Sequence, residues 1–229
     1  MTFHIITLFE DAFSSYLGES IIKRAIEDKK IRIKFYNPRD FSDDKWRRID
    51  QKPYGGGPGM VIQALPVVKA IAKAISKSST GSGAGASASA KNPTKSTKII
   101  FLSPSGKQFT NEYAKISAKK YKNIIIISGR YEGIDARIKK IFKMEDVSVG
   151  PFVLTGGELP AMILIDCIAR QVKGVLGSAQ SLEESRIASP DVYTRPEVFT
   201  FKNKKYRVPK ILLSGNHAKI EEWRKGRKK

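Results

Sequence analysis

Four consecutive isoleucines, Ile124 to Ile127, flanked by Asn123 and Ser128, leave little choice of architecture. A strand with no polar side must be covered above and below, as happens in a parallel sheet with helices on both faces. Three further β-rich runs, His4 to Phe9, Ile31 to Tyr36 and Lys98 to Ser103, alternate with Glu10 to Asp28, Val61 to Ser78 and Thr110 to Tyr121, which carry helical spacing. That alternation predicts an α/β fold with a mainly parallel sheet.

The isoleucine strand runs without pause into Gly129-Arg-Tyr-Glu-Gly-Ile-Asp135, a glycine-bearing, mixed-polarity loop. Ligands of α/β sheets bind beyond the carboxyl ends of strands, so this loop is a site candidate by position. The plain alternative is a strand-to-helix turn with solvated charges. Two more segments share its character: Val149-Gly-Pro-Phe-Val-Leu-Thr-Gly-Gly-Glu-Leu-Pro160, ahead of the apolar helical stretch Ala161 to Ile168, and Leu102-Ser-Pro-Ser-Gly106 after another strand. A fourth, Tyr54-Gly-Gly-Gly-Pro-Gly-Met60, follows Asp40, Trp46, Arg47, Arg48 and Asp50, and its glycines let a backbone approach a ligand closely.

Composition narrows the partner. Against 22 Asp and Glu stand 42 Lys and Arg, a formal net charge of +20, which points to a polyanion and first to nucleic acid. An anionic membrane ranks lower, because no basic amphipathic helix, lipidation motif or apolar run of about 20 residues is present. The first residues lack the charged and apolar regions of a signal peptide, so a cytoplasmic location is expected. One cysteine, Cys167, excludes an internal disulfide, and two histidines, His4 and His217, leave little for a zinc site.

The segment 76–97 consists almost entirely of small and polar residues and is expected to be a mobile loop. Its Gly81, Gly83 and Ala86 match a dinucleotide fingerprint, but no strand leads into them and low complexity produces such matches by chance. Beyond Val172 a linker, 174–192, precedes a basic, mostly helical appendage, 193–229.

Taken in order, NPRDF (37–41), PYGGGPGM (53–60), LSPSG (102–106), GRYEGID (129–135), VLTGGELPAM (153–162), YTRPEV (193–198) and LLSGNHAKIEEWR (212–224) make the chain similar to the bacterial tRNA (guanine-N1)-methyltransferases of the SPOUT class. The resemblance covers nearly the whole chain. It implies a methyltransferase domain over 1–173 whose C-terminal half is tied in a trefoil knot, and a C-terminal tRNA-binding domain over 193–229, abbreviated here. It further implies a homodimer with its active site at the subunit interface, S-adenosylmethionine as methyl donor, and N1-methylguanosine just 3′ of the anticodon, at position 37, as product. Magnesium assistance is a further expectation.

Carried onto matching positions, the cofactor cradle comprises Leu102, Gly106, Gly129, Tyr131, Glu132, Gly133, Val149, Gly150, Pro151, Phe152, Val153, Leu154, Gly156 and Gly157. Pro151 and Phe152 depart from the family's usual Asp and Tyr, and Pro151 removes a backbone donor. Arg47, Arg48, Tyr54, Gly55, Gly56, Gly57, Arg195, Ser214, Asn216 and His217 are expected to touch RNA. Methylation at guanine N1 removes a proton and builds charge on O6, so it needs a base and a cationic stabiliser. Arg170 stands in the stabiliser's place, and Glu184 in that of the family's aspartate, with Glu183 and then Asp191 as competitors. Two rivals remain: a ribose methyltransferase of the same class, and a non-catalytic basic RNA-binding protein.

Overall fold

A computed structural model describes residues 1–79, 93–177 and 191–225. The chain divides into two compact units, Met1–Gly177 and Ser178–Lys229. Outside the described residues lie 80–92 of the low-complexity segment, with Gly81, Gly83 and Ala86; 178–190 of the linker, with Glu183 and Glu184; and 226–229 of the basic tail.

The first unit begins with β1 (Thr2–Ile6), α1 (Ser14–Leu17), α2 (Ser20–Glu27) and β2 (Arg32–Tyr36). A two-residue ladder of β3 (Asp50–Gln51) with β4 (Val61–Ile62) precedes α3 (Ala64–Ser79). Then come β5 (Thr97–Gln108), α4 (Asn111–Lys120), β6 (Asn123–Ile127), α5 (Ile138–Ile141), β7 (Glu145–Ser148) and α6 (Glu158–Ala169). Five strands form one sheet in the order β2-β1-β6-β5-β7, every pairing parallel.

Strand alternation distributes the apolar residues over both faces. Phe3, Ile5, Ile100, Ile124 and Ile126 meet α1, α2, α4 and α6 through Leu17, Ile22, Ala114, Leu164 and Ile168. Ile6, Ile99, Ile125 and Ile127 meet α3 and α5 through Val67, Ile71, Ala74 and Ile138. All four central isoleucines are 0% exposed, as a strand covered twice over requires. Burying such side chains contributes roughly 1.5–3 kcal/mol each.

Local chemistry moves some boundaries away from the sequence reading. The single helix expected over Glu10 to Asp28 is a 3-10 turn followed by two short helices, broken where Ser20 adopts φ 51°. Residues 76–79 belong to α3 rather than to a loop, and Thr97 already starts β5. In the second unit β8 (Val198–Phe201) and β9 (Lys204–Arg207) form an antiparallel hairpin ahead of α7 (His217–Lys225), so the described part of the appendage is not mostly helical. Lys202 and Asn203, both at positive φ, make its two-residue turn.

Candidate functional site

In a parallel sheet all carboxyl ends lie along one edge, where β6 and β7 end in glycine-bearing loops and β5, past its last pairing with β6 at Phe101, breaks register on β7 across its own glycine-bearing stretch, Leu102 to Gly106. These segments wall a cleft of about 400 Å³, lined by Leu102 to Pro104 at the register break within β5, Gly129 to Ile134 after β6, and Val149 with Phe152 to Gly157 after β7. The volume lies within the range of small-ligand sites. Three strand ends facing one region is what the sequence loops implied.

Close backbone approach explains why particular glycines are needed. A Cβ on Gly106 would sit 2.4 Å from the Val147 amide nitrogen, so only glycine lets the LSPSG turn lie against β7. A Cβ on Gly157 would sit 2.6 Å from Ser128 Cα. With that space empty, Gly157 N–H donates to Gly129 O (2.9 Å) and Ser128 Oγ donates to Gly157 O (3.2 Å), clasping the loop before α6 to the end of β6.

Of the expected cofactor residues, Leu102, Gly129, Tyr131, Glu132, Gly133, Val149, Phe152, Val153, Leu154, Gly156 and Gly157 line the cleft. Gly106, Gly150 and Pro151 do not. Gly106 backs onto β7; Gly150 is buried under the Phe152 ring, its carbonyl accepting from Ser148 Oγ (2.9 Å); Pro151 is exposed. The sequence reading left out Ser103, Pro104, Arg130, Ile134, Ala136, Lys139, Thr155 and Pro160, which also line it. Arg130 lies inside the GRYEG motif, whereas Lys139 carries no local signal; it stands over the Phe101 ring at 4.3 Å and pairs with Asp146.

The Tyr54–Met60 loop is joined to this site. Glu132 N–H donates to Met60 O (3.0 Å), Ile62 N–H to Gly133 O (3.0 Å) and Asp135 N–H to Ile62 O (2.9 Å). A Cβ on Gly59 would press on the Glu132 carboxylate at 2.5 Å. Gly55, Gly56 and Gly57, all at positive φ, meet nothing, and Tyr54 is fully exposed. The Arg137 guanidinium, hydrogen-bonded to Asp135, holds that carboxyl below the usual carboxylate range.

Arg47 and Arg48 are exposed, paired to Asp40 (3.3 Å) and Asp44 (3.2 Å), and Arg48 also stacks on Trp46 at 4.9 Å. Exposed pairs of this kind are weak and leave both arginines available to phosphate. In the second unit Arg195, Ser214, Asn216 and His217 are exposed, and Asn216 Oδ1 accepts from Lys219 N–H (3.1 Å) at the start of α7. Arg170 terminates α6 at the end opposite Gly157. Glu184 and Glu183 fall outside the described residues, and Asp191 is exposed. No described helix is long and apolar enough to cross a membrane.

A family model described as tRNA (guanine-1)-methyltransferase TrmD matches residues 1–229. Curated proteins named tRNA (guanine-N(1)-)-methyltransferase are similar to the chain throughout. That of Clostridioides difficile is 42% identical, over 98% of this chain and 91% of the relative. That of Caldanaerobacter subterraneus is 43% identical over 98% and 86%, and that of Campylobacter jejuni 41% over 96% and 88%. With a glycine-walled cleft along three neighbouring parallel strands and a match from end to end, the chain belongs to the tRNA (guanine-1)-methyltransferase family.

Proposed function

We propose that the chain transfers the methyl group of S-adenosylmethionine to N1 of guanosine in tRNA, at the position just 3′ of the anticodon. The observation that carries this reading is the glycine-walled cleft beside the register break of β5 and the ends of β6 and β7, in a chain whose curated relatives are named for the activity. The lining fits the donor. Leu102, Val149 and Leu154 give apolar cover for a purine face, and the backbones of 129–133 and 152–157 offer N–H and C=O groups for its edge. Bound there, S-adenosylmethionine supplies an electrophilic methyl on sulfur. For a magnesium ion the cleft lining offers one carboxylate, Glu132, and among the described residues no three His, Cys, Asp or Glu side chains form a metal-holding group.

Glu184 takes the N1 proton on its carboxylate, with Glu183 as the nearest competitor, and Arg170 donates to O6 as charge builds there. A planar guanidinium suits that oxygen. Arg170 lies about 20 Å along the α6 axis from Gly157 at 1.5 Å per residue, further than an arginine spans. In this reading the Arg170 that serves a cleft is supplied by a second copy of the chain, in a homodimer with the active site at the subunit interface. Leu159 (57% exposed) and Ile163 (41%), one turn apart on α6, offer apolar surface for such contact. The same reading extends to a trefoil knot in the C-terminal half of a 1–173 methyltransferase domain, a linker over 174–192, an RNA-binding domain over 193–229 and a cytoplasmic location. The hairpin, with Phe199, Phe201, Lys202, Lys204 and Lys205 exposed, and the net charge of +20 support an RNA partner. The test is transfer of labelled methyl from S-adenosylmethionine to tRNA transcripts carrying guanosine or adenosine after the anticodon. Label in the guanosine transcript alone is expected; label in neither, or equally in both, refutes the proposal.

A further inference from the structure

One buried charge has no part in that chemistry. Glu158, the first residue of α6, is 3% exposed. Its Oε1 accepts from Thr7 Oγ1 (2.9 Å), beyond the end of β1, and its Oε2 lies 2.9 Å from Arg130 Nε. Both atoms of that ion pair are sealed from solvent and out of line for a hydrogen bond, so charge holds them together. A buried pair is costly to desolvate, and an apolar residue would fill the same space as well or better for stability. What the pair does is hold backbone. Arg130 Nη1 donates to Thr155 O (3.4 Å), its guanidinium lies over the Phe9 ring at 4.7 Å, and it pairs in an antiparallel bridge with Gly156. A Cβ on Gly156 would sit 2.4 Å from Arg130 Nε, so the arginine side chain is the surface on which that stretch of loop rests. Thr155, Gly156 and Gly157 line the cleft, while the preceding residues 151–154 are exposed.

We infer that Glu158 is a positioning residue that fixes Arg130, and through it the Thr155–Gly157 backbone, so that the cleft is shaped for S-adenosylmethionine before the cofactor arrives. The inference rests on the reading that this cleft takes the cofactor. Glu158 does not itself line the cleft, so its loss weakens cofactor binding through the loop and leaves tRNA binding alone.

The experiment uses the full chain and compares wild type, Glu158→Gln, Arg130→Lys and the double variant Glu158→Gln/Arg130→Lys. It measures S-adenosylmethionine affinity by calorimetry, and kcat and KM for each substrate. Glu158→Gln keeps an acceptor for Thr7 but loses the charge opposite Arg130; Arg130→Lys keeps the charge but loses the fork that reaches Thr155. Each should raise Kd and KM for S-adenosylmethionine by about tenfold to a hundredfold, with KM for tRNA unchanged and kcat at saturation nearly so. The double variant should cost no more than the worse single change, since both remove one interaction. Wild-type affinity in folded Glu158→Gln, or, if that variant does not fold, in Arg130→Lys, overturns the inference. So does a loss of kcat with unchanged KM. Absence of cofactor binding by the wild type removes the cleft assignment, and the inference with it; binding by the wild type and by both single variants alike removes only the inference.

Discussion

Gly157 is where packing and cofactor binding meet, and Gly157→Ala tests both. Its φ of −84° suits any residue, so the demand for glycine is one of space. An added Cβ would lie 2.6 Å from Ser128 Cα and 2.9 Å from both Gly129 N and Ser128 Cβ. Ordinary carbon contacts lie at about 3.5–4.0 Å, so the two backbones must separate by roughly 1 Å. Two of those neighbours are main-chain atoms that cannot rotate away, and the movement stretches the Gly157 N–H bond to Gly129 O. Overpacking of this kind costs about 1–3 kcal/mol, which in a unit of this size lowers the melting temperature by roughly 2 to 12 °C. A displacement of about 1 Å at a reacting site is enough for a hundredfold loss of turnover. Gly177→Ala is the control, because a Cβ there meets nothing within 4 Å. The assays are thermal melting, calorimetry with S-adenosylmethionine and methyl transfer. A Gly157→Ala protein that melts within about 1 °C of wild type and binds the cofactor within about twofold would refute the close-approach reasoning.

Three other outcomes follow from the same account. Glu184→Gln, folded and still binding S-adenosylmethionine, should lose most of its turnover, as should Arg170→Ala; wild-type turnover in the first moves the base to Glu183, and an unchanged rate in the second removes Arg170 from the mechanism. Affinity for tRNA, measured by filter binding, should fall steeply with salt, by about a thousandfold or more between roughly 50 and 200 mM if six or more phosphates are neutralised; a flat dependence would deny the basic surface its role. Burial holds His4 below its usual value, with Lys34 acting in the same direction and a hydrogen bond to Asn123 opposing both. The unfolded chain then binds the proton first, so this contribution to stability is complete above the unfolded value near 6.5 and is lost as pH falls below it. Melting curves of His4→Gln should therefore be flatter than wild type as pH drops from about 7 to 5, and an equal slope would contradict the assignment.

Much of the sheet was legible because its strands are strongly patterned. The isoleucine run, the strand leading into LSPSG and the helices flanking them lie within a few residues of where periodicity put them. Strand β7 was implied only by the loop that follows it and received no range, for a physical reason: Glu145 and Asp146 give it no apolar period, and their charges are met only in the fold, by Lys98 and Lys139. The hairpin of the second unit was legible and overlooked, since Val-Phe-Thr-Phe and Lys-Lys-Tyr-Arg flank a Lys-Asn turn. At the site, the glycine loops announced themselves, but pairings between loops did not. Nothing local couples Arg130 to Glu158, or Met60 to Glu132, because the sheet alone brings those segments together.

The central claim, methyl transfer to guanine N1 in tRNA, is tested most directly by the identity of the product. The protein is incubated with labelled S-adenosylmethionine and a tRNA transcript bearing guanosine after the anticodon, the RNA is digested to nucleosides, and the labelled nucleoside is identified. The account predicts N1-methylguanosine from that position. A 2′-O-methylated nucleoside, a methyl group on another base, or no labelled nucleoside would contradict it.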